Sequence, residues 1–321
     1  MRGSYGGPRS GQAPVSFLTS WLPLRLREIA SYRAGRAEQA LIGKAADTLV
    51  LAYHNIRPAG APEFGERSLH LDRRDFARQL DFLQRTHEVR PLTTIGTVAD
   101  RPIAIITFDD GYAGALTVGL EELARRKLPA TFFVVPGRLG GDAFWWDRLG
   151  EHYRGVPPAD IRRRALEELE GDEAGVAPWA SELGIDFTGP VPPWARTGTE
   201  DDLRRAAATP GITLAAHTWT HPNLAAVSRY RLVVELVRAR DWMDAHFPGW
   251  PRWISFPYGR SNPEVEEVTN QSGYSGGVSI GDAARRYPPG AVGASWRMVR
   301  RLNVPAGGSF ERFALTVSGA W

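Results

Sequence analysis

The sequence predicts an α/β fold built on a parallel sheet, because short apolar segments rich in β-branched residues alternate with longer segments of helical periodicity. About seven strand candidates are present, a number that can close into a barrel. The chain has 321 residues, of which 43% are hydrophobic, enough to bury one sizeable core. We therefore expect one barrel domain over residues 46–321, preceded by an N-terminal arm over residues 1–45.

The elements follow one another in the order that an alternating fold requires. Strands are predicted over residues 48–53, 103–108, 130–135, 212–216, 252–256, 276–280 and 298–304. Helices are predicted over residues 73–87, 116–126, 159–170, 228–246, 263–272 and 310–318. In the first of these helices Phe76, Leu80 and Leu83 lie at helical spacing. The alternation lapses over residues 138–202 and then resumes.

Two adjacent carboxylates stand at the end of the strand predicted over residues 103–108. Asp109 and Asp110 are followed by Gly111, where the chain turns. Neighbouring side chains of a strand point to opposite faces, but in such a turn both acids can converge on one pocket. An acidic pair is also common as a plain turn or helix N-cap, so this feature alone does not define a site.

Two histidines follow the strand predicted over residues 212–216. His217 and His221 are four residues apart, the spacing of metal ligands on one helical turn. With one aspartate they form a three-ligand set, which is how catalytic zinc is held with a position open for water. Their joint occurrence at two strand ends indicates a divalent-metal site, and the remaining aspartate is free to act as a base.

With these motifs the chain resembles the polysaccharide deacetylases, also called NodB-homology domains or carbohydrate esterase family four. The likeness spans roughly residues 48–305. It rests on YH at 53–54, TFDDGY at 107–112, LPATFFVV at 128–135, HTWTHP at 217–222 and FPYG at 256–259. The resemblance implies a distorted (β/α)7 barrel, and the lapse in the alternation indicates a helical, Trp-rich insertion over residues 138–202.

The resemblance also implies the roles of five residues. Asp109 would be the general base, and the backbone N–H of Tyr258 would help bind the oxyanion. The metal ligands would be Asp110, His217 and His221. By ligand type the divalent metal is expected to be zinc, although such a site takes other first-row ions.

The chain departs from the family's usual pattern at two places. Ser255 stands where the family carries an arginine that orients the base. Arg300 and Arg301 are the candidates to replace that arginine, and a solvated strand edge is the alternative interpretation of both. The family's late catalytic histidine is also missing, since no histidine follows His246.

His54 is the expected substitute for the missing histidine. It ends the strand over residues 48–53, and the strands of a barrel deliver their C-terminal residues to one face. A Tyr-His pair at this place resembles the family branch that deacetylates biofilm poly-N-acetylglucosamine, which uses this histidine as the acid. A hydrogen-bonded core histidine is the alternative. The other histidines are expected at the surface: His70, His87, His152 and His246.

The insertion over residues 138–202 is too long for a plain loop in a compact barrel. It is either a cap that shapes a sugar site, because aromatic rings stack on pyranose faces, or a helical unit with its own Trp-rich core. The candidate substrate-binding residues are Trp146 of this insertion and, within the motifs, Tyr112, Trp219 and Pro257.

Composition excludes some classes of partner. The formal net charge is only +3 and the arginines are scattered, so nucleic acid is not expected. Cysteine is absent, which excludes disulfides and thiol chemistry. The apolar run over residues 15–24 lacks a convincing signal-peptide pattern and the length of a membrane span. Phe17, Leu18, Trp21 and Leu22 could contact a membrane surface or pack on the domain, so a cytoplasmic or peripheral location is expected; the oligomeric state stays open.

We predict a metal-dependent hydrolase that removes an N-acetyl group from an amino sugar of a polysaccharide or glycoconjugate. One alternative is the same chemistry, or removal of a formyl group, on a lipid-linked or nucleotide-linked sugar. A metal-independent ring-opening amidohydrolase is disfavoured by the complete ligand set. A glycan-binding protein without catalysis is supported only by the missing arginine.

Overall fold

The computed structural model describes residues 23–42, 47–281, 285–290 and 297–321. The strands in these ranges are β1 Thr48–Tyr53, β2 Asn55–Arg57, β3 His70–Asp72, β4 Glu88–Val89, β5 Ile103–Phe108, β6 Ala130–Val134, β7 Ile212–Ala216, β8 Trp253–Ser255, β9 Gly276–Gly281, β10 Arg286–Tyr287 and β11 Arg297–Asn303. Seven of them pair in parallel in the closed order β1-β11-β9-β8-β7-β6-β5-β1. The prediction of a distorted (β/α)7 barrel is therefore confirmed.

Helices surround the barrel and connect its strands. They are α1 Leu24–Arg33, α2 Arg36–Gln39, α3 Arg73–Thr86, α4 Leu120–Arg126, α5 Trp145–His152, α6 Ala159–Arg163, α7 Glu173–Glu182, α8 Glu200–Ala207, α9 Arg229–His246, α10 Pro263–Gln271 and α11 Phe310–Ser318. A π-helical turn, Ala115–Gly119, leads into α4, and a second, Arg164–Glu168, continues α6. Strands β1, β5 and β6 are buried along their whole length, as parallel strands covered on both faces are.

The register of β1 and β5 brings their ends to the same level. Tyr53 pairs with Phe108, and the Asp109 N–H donates a hydrogen bond of 2.9 Å to the Tyr53 carbonyl. His54 and Asp109, the next residue of each strand, therefore start from neighbouring positions. Between the barrel and its helices the rings of Phe108 and Phe132 stack with centroids 4.6 Å apart, and Phe76 of α3 packs edge-on against Phe108 at 5.7 Å.

The insertion packs onto the barrel and is part of the main core. Its helix α5 carries Trp145 and Trp146 and its helix α7 carries Trp179, and all three are buried in the same cluster as the barrel residues. Trp194 belongs to a smaller cluster with Phe64 and Val191. The segment is thus not a satellite held by its own core.

Most predicted elements match the structure within a residue or two, and the errors are local. The prediction that His70 and His87 lie at the surface was wrong, because both are buried. Several short elements were not predicted, among them β2, β3, α5, α7 and α8. Phe17, Leu18, Trp21 and Leu22 of the arm lie outside the described residues. Among those residues, no helix is both long and apolar enough to cross a membrane.

His87 should make the folded state sensitive to acid. Its ring is 1% exposed, and burial together with the charges of Arg286 and Arg101 lowers its pKa from 6.5 to about 3. Below pH 6.5 the unfolded chain therefore binds a proton that the folded chain does not, and stability falls with pH. From pH 7.5 to pH 5 this histidine should cost about 2 kcal/mol of the free energy of unfolding.

Denaturant titrations at the two pH values check this expectation. A His87→Gln variant should lose about 2 kcal/mol less than the wild type between them. A His152→Gln variant, at an exposed position, should behave like the wild type. Equal pH dependence in the wild type and His87→Gln would contradict the role of His87.

Candidate metal centre and active site

Three buried side chains converge at the C-terminal end of the barrel. Asp110 Oδ1 lies 3.3 Å from His217 Nε2 and 3.2 Å from His221 Nε2, and the two nitrogens are 3.1 Å apart. Ligand atoms about 2.1 Å from a tetrahedral ion lie about 3.4 Å from one another. The three atoms therefore have the mutual spacing of a three-ligand metal site, and the geometry fits a divalent ion.

The backbone at these ligands departs from regular structure. Asp110, Thr218 and His221 have φ values of 71°, 66° and 71°, a left-handed conformation that non-glycine residues seldom adopt. His217 and His221 consequently lie in an irregular loop after β7. The expectation that they share one helical turn was wrong. Such strain is concentrated at functional sites, where the surrounding fold maintains it.

Neighbouring groups prepare two of the three ligands. The Nδ1 of His217 donates to the Ser255 carbonyl at 2.7 Å, which leaves Nε2 as the atom that faces Asp110 and that would bind a metal ion. Burial alone would raise the pKa of Asp110, but hydrogen bonds from His217 and His221 hold it well below its usual range. Asp110 is therefore ionised, as a metal ligand must be.

Asp109 is paired with a fully buried arginine. Arg301 Nη1 and Nη2 donate to the two carboxylate oxygens at 2.8 and 2.6 Å, and the exposed fractions of the two residues are 0% and 2%. Burial would raise the pKa of Asp109, but the Arg301 and His217 charges outweigh it and the pKa is lowered. Arg301 also donates to Thr107 Oγ1 and to Ser255 Oγ.

The structure separates the two arginines that the sequence left as alternatives. Arg301 points into the barrel and binds Asp109, whereas Arg300 is exposed. Ser255, the residue that replaces the family's usual arginine, accepts a hydrogen bond of 2.8 Å from Arg301. The guanidinium thus arrives from β11, and the small serine leaves room for it.

His54 lines the same cavity as Asp109 and the three candidate ligands. Burial is the largest influence on its pKa and lowers it, and Arg301 and His217 act in the same direction. The charges of Asp110 and Asp109 oppose this lowering only in part. When protonated, His54 is therefore a stronger acid than free imidazole.

The cavity has a volume of about 320 Å³ and takes walls from both the barrel and the insertion. Trp146 is in its lining, as predicted for a substrate-binding residue. Tyr112, Trp219 and Pro257 are not: Tyr112 is buried behind Trp146, and the Trp219 ring lies under the Arg238 guanidinium. Further lining residues were not predicted as site residues because they belong to no motif: Glu66, Ser68, Leu69, Trp145, Pro157, Arg162, Leu166, Arg260, Ile280 and Asn303.

Tyr258 is held in place by the insertion. Its backbone is left-handed, with φ 59° and ψ 12°. Its hydroxyl donates to the Gly171 carbonyl at 2.7 Å and lies 3.1 Å from the donating Trp145 indole nitrogen. A Cβ at position 171 would meet the Tyr258 ring at 2.7 Å, so only glycine allows this approach. These contacts fix the Tyr258 side chain against the insertion.

A buried Asp-His-His ligand set beside an arginine-bound carboxylate, at the C-terminal end of a barrel, defines the kind of site found in metal-assisted hydrolases. A family model for polysaccharide deacetylases matches residues 97–277, more than half of the chain. The chain belongs to the polysaccharide deacetylase family. A search of curated proteins found no match.

Solved structures of deacetylases share the fold. Streptococcus pyogenes deacetylase PplD, in complex with acetate, superposes with a TM-score of 0.57 at 16% identity, covering 85% of this chain and 98% of its own. IcaB from Ammonifex degensii gives 0.57 at 18% identity, covering 85% and 97%. A de-N-acetylase from Aggregatibacter actinomycetemcomitans gives 0.55 at 17% identity, covering 83% and 99%. At these identities the likeness concerns the fold.

The two adjacent aspartates should respond differently to the same substitution. Asp110→Asn removes a ligand charge and should lose most bound zinc, whereas Asp109→Asn should keep the ion and lose roughly 10²- to 10⁴-fold in rate. Metal analysis of zinc-loaded protein, with the exposed His152→Ala as control, measures the difference. Equal loss of zinc in both aspartate variants would refute the assignment.

Arg301 and Arg300 offer a matched pair of substitutions. Arg301→Lys keeps the charge but removes the bidentate hydrogen bonding to the Asp109 carboxylate. We therefore expect kcat to fall roughly 10- to 100-fold while bound zinc is unchanged. Arg300→Lys makes the same change on the exposed face and should leave kcat as in the wild type. Similar kcat values for the two variants would show that Asp109 does not need this orientation.

Proposed function

We propose that the protein is a zinc-dependent deacetylase that removes the N-acetyl group from an amino sugar of a polysaccharide or glycoconjugate. One observation carries the proposal: the buried Asp110, His217 and His221 set and the Asp109–Arg301 pair line or border one cavity. The donor set of one carboxylate and two imidazoles suits zinc among the divalent ions.

When bound, a divalent ion would polarise the acetyl carbonyl and lower the pKa of water. Asp109 then takes a proton from the attacking water, and Arg301 keeps both carboxylate oxygens oriented for that task. The Tyr258 N–H donates to the oxygen on which negative charge develops. Each of these groups is fixed before the substrate arrives, so little reorganisation is needed during the reaction.

His54 is the proposed general acid. It follows β1 directly, beside Asp109 at the end of β5, and it lines the cavity that holds the ligand set. Amide cleavage needs a proton on the leaving nitrogen, and a histidine whose pKa is lowered donates that proton readily once it carries it. The products would be acetate and a free amino sugar.

The cavity size and walls support an acetylated sugar as the reacting unit. A volume of about 320 Å³ is at the small end of ligand pockets, which suits one sugar residue better than a long segment of glycan. Trp146 and Trp145 provide aromatic surface, and Glu66 and Arg162 provide hydrogen-bonding groups. Deacetylases such as PplD, bound to acetate, and the Aggregatibacter de-N-acetylase share this fold and support the same reaction class.

Acetate release from defined substrates tests the proposal. Zinc-loaded enzyme should release acetate from oligomers of N-acetylglucosamine, and a chelator should abolish the release until zinc is restored. Lipid-linked and nucleotide-linked acetylated sugars, and formylated analogues, belong in the same panel. Release that is unaffected by complete metal removal, or no release from any acetylated sugar, would refute the proposal.

The acid role of His54 predicts a dependence on the leaving group. His54→Ala should lower kcat on an N-acetyl sugar roughly 10²- to 10⁴-fold, because the amine needs a proton to depart. The loss should shrink on an aryl acetate, whose phenolate departs without help, and bound zinc should stay normal. An equal loss of kcat on both substrates would assign the acid role to another residue.

A further inference from the structure

A buried carboxylate outside the proposed reaction lies one residue from Trp146. Asp147, in the first turn of α5, has an exposed fraction of 0%. Its Oδ1 accepts from His70 Nε2 at 2.9 Å and from the Glu66 N–H at 3.0 Å. Its Oδ2 accepts from the Tyr112 hydroxyl at 2.7 Å. Three donors from two segments of the chain, residues 66–70 and the turn that carries Tyr112, thus fix both oxygens of one side chain.

The surrounding hydrogen bonds determine which atom of His70 donates. The Asn55 amide nitrogen lies 3.0 Å from His70 Nδ1 and also donates to the Trp194 carbonyl, while the Asn55 amide oxygen accepts from the Ile56 N–H. The amide orientation is therefore fixed, and His70 Nδ1 must accept. The hydrogen of the ring is on Nε2, directed at Asp147.

Tyr112 connects this buried cluster to the cavity. The Trp146 indole nitrogen donates to the Tyr112 hydroxyl at 2.8 Å, and the same hydroxyl donates to Asp147. Tyr112 directly follows Gly111 and Asp110, so the residue that orients the indole belongs to the turn that carries a candidate ligand. Adjacent helical residues point in different directions, so Asp147 reaches Trp146 only through this tyrosine.

The Trp146 ring is confined on its other sides as well. It stacks on Phe144 with centroids 4.3 Å apart, and its centroid lies 4.8 Å from that of His221. Asp147 is itself closely packed against the backbone of Gly65, because a Cβ at position 65 would meet Asp147 Oδ1 at 2.5 Å. The indole therefore has one polar anchor, the Tyr112 hydroxyl, and this anchor is set by Asp147.

We propose that Tyr112 and Asp147 are positioning residues that fix the Trp146 indole as the cavity wall against which the acetylated sugar lies. The inference rests on the proposed function for its substrate and deepens it. It assigns to the insertion a part in sugar recognition that is linked, through one hydroxyl, to the turn bearing Asp110. Tyr112 acts through Trp146, and it does not touch the substrate.

Tyr112→Phe is the direct test, because it removes the hydroxyl and preserves the ring. On penta-N-acetylchitopentaose kcat/KM should fall roughly 10- to 100-fold, chiefly through KM. Hydrolysis of 4-methylumbelliferyl acetate, which needs no sugar platform, should stay within about twofold, and bound zinc should be unchanged. Asp147→Asn should act in the same direction. Tyr153→Phe and the exposed Asp160→Asn are matched controls and should equal the wild type.

Equal losses on the two substrates, loss of zinc, or no loss at all would overturn the inference. A second measurement decides it independently of activity. In ¹⁵N-tryptophan-labelled protein the Trp146 indole N–H, assigned with Trp146→Phe, should exchange with solvent at least roughly tenfold faster in Tyr112→Phe than in the wild type. Unchanged exchange would overturn the inference. If the wild type hydrolyses the ester but no glycan, the proposed function fails, and the exchange rates still decide whether Tyr112 holds the indole.

Discussion

The buried ion pair between Arg301 and Asp109 is the interaction on which the site depends. Arg301 comes from β11 and binds side chains at the ends of β5 and β8, so one guanidinium connects three strands across the barrel interior. Burying two charges is costly, and their attraction compensates only when geometry and hydrogen bonds are good. Here Nη1 and Nη2 of Arg301 make four hydrogen bonds, whereas the buried Nε has no partner among the described residues. Removing one partner would leave an uncompensated buried charge, at a cost of about 3–5 kcal/mol.

Around this pair the barrel maintains conformations that the local sequence would not adopt alone. Left-handed backbone at Asp110, Thr218, His221 and Tyr258 costs on the order of 1–3 kcal/mol at each residue. The long parallel pairing of β1 with β5 and of β6 with β7 supplies a rigid frame from which these turns project. The strands therefore fix the level of each residue along the barrel axis, and the left-handed turns determine the direction of its side chain.

The sequence predicts the site where chemistry follows directly from a strand end. His54, Asp109, Asp110, His217 and His221 come after buried apolar runs, and parallel strands bring such residues to one edge. Arg300 and Arg301 face opposite sides of β11, but the sequence did not show which side is inward. The inward row Val299, Arg301 and Asn303 is mostly polar and therefore lacks the apolar pattern of a core face. His70 was misassigned because its partner, Asp147, is 77 residues away in the chain. Glu66, in a loop, and Arg162, on α6, belong to no motif that marks a binding residue.

The two interpretations of the insertion prove to be less opposed than the sequence suggested. Its tryptophans are buried in the main core, which is a structural role, yet Trp145 and Trp146 also line the cavity. The same segment anchors the Tyr258 hydroxyl through Gly171 and receives the Tyr112 hydroxyl on Asp147. The insertion is therefore joined to two of the turns that aim the reacting groups. Gly171 and Asp147 thus connect the wall of the cavity to the turns that follow β8 and β5, and through these two contacts the insertion can influence the groups that those turns carry.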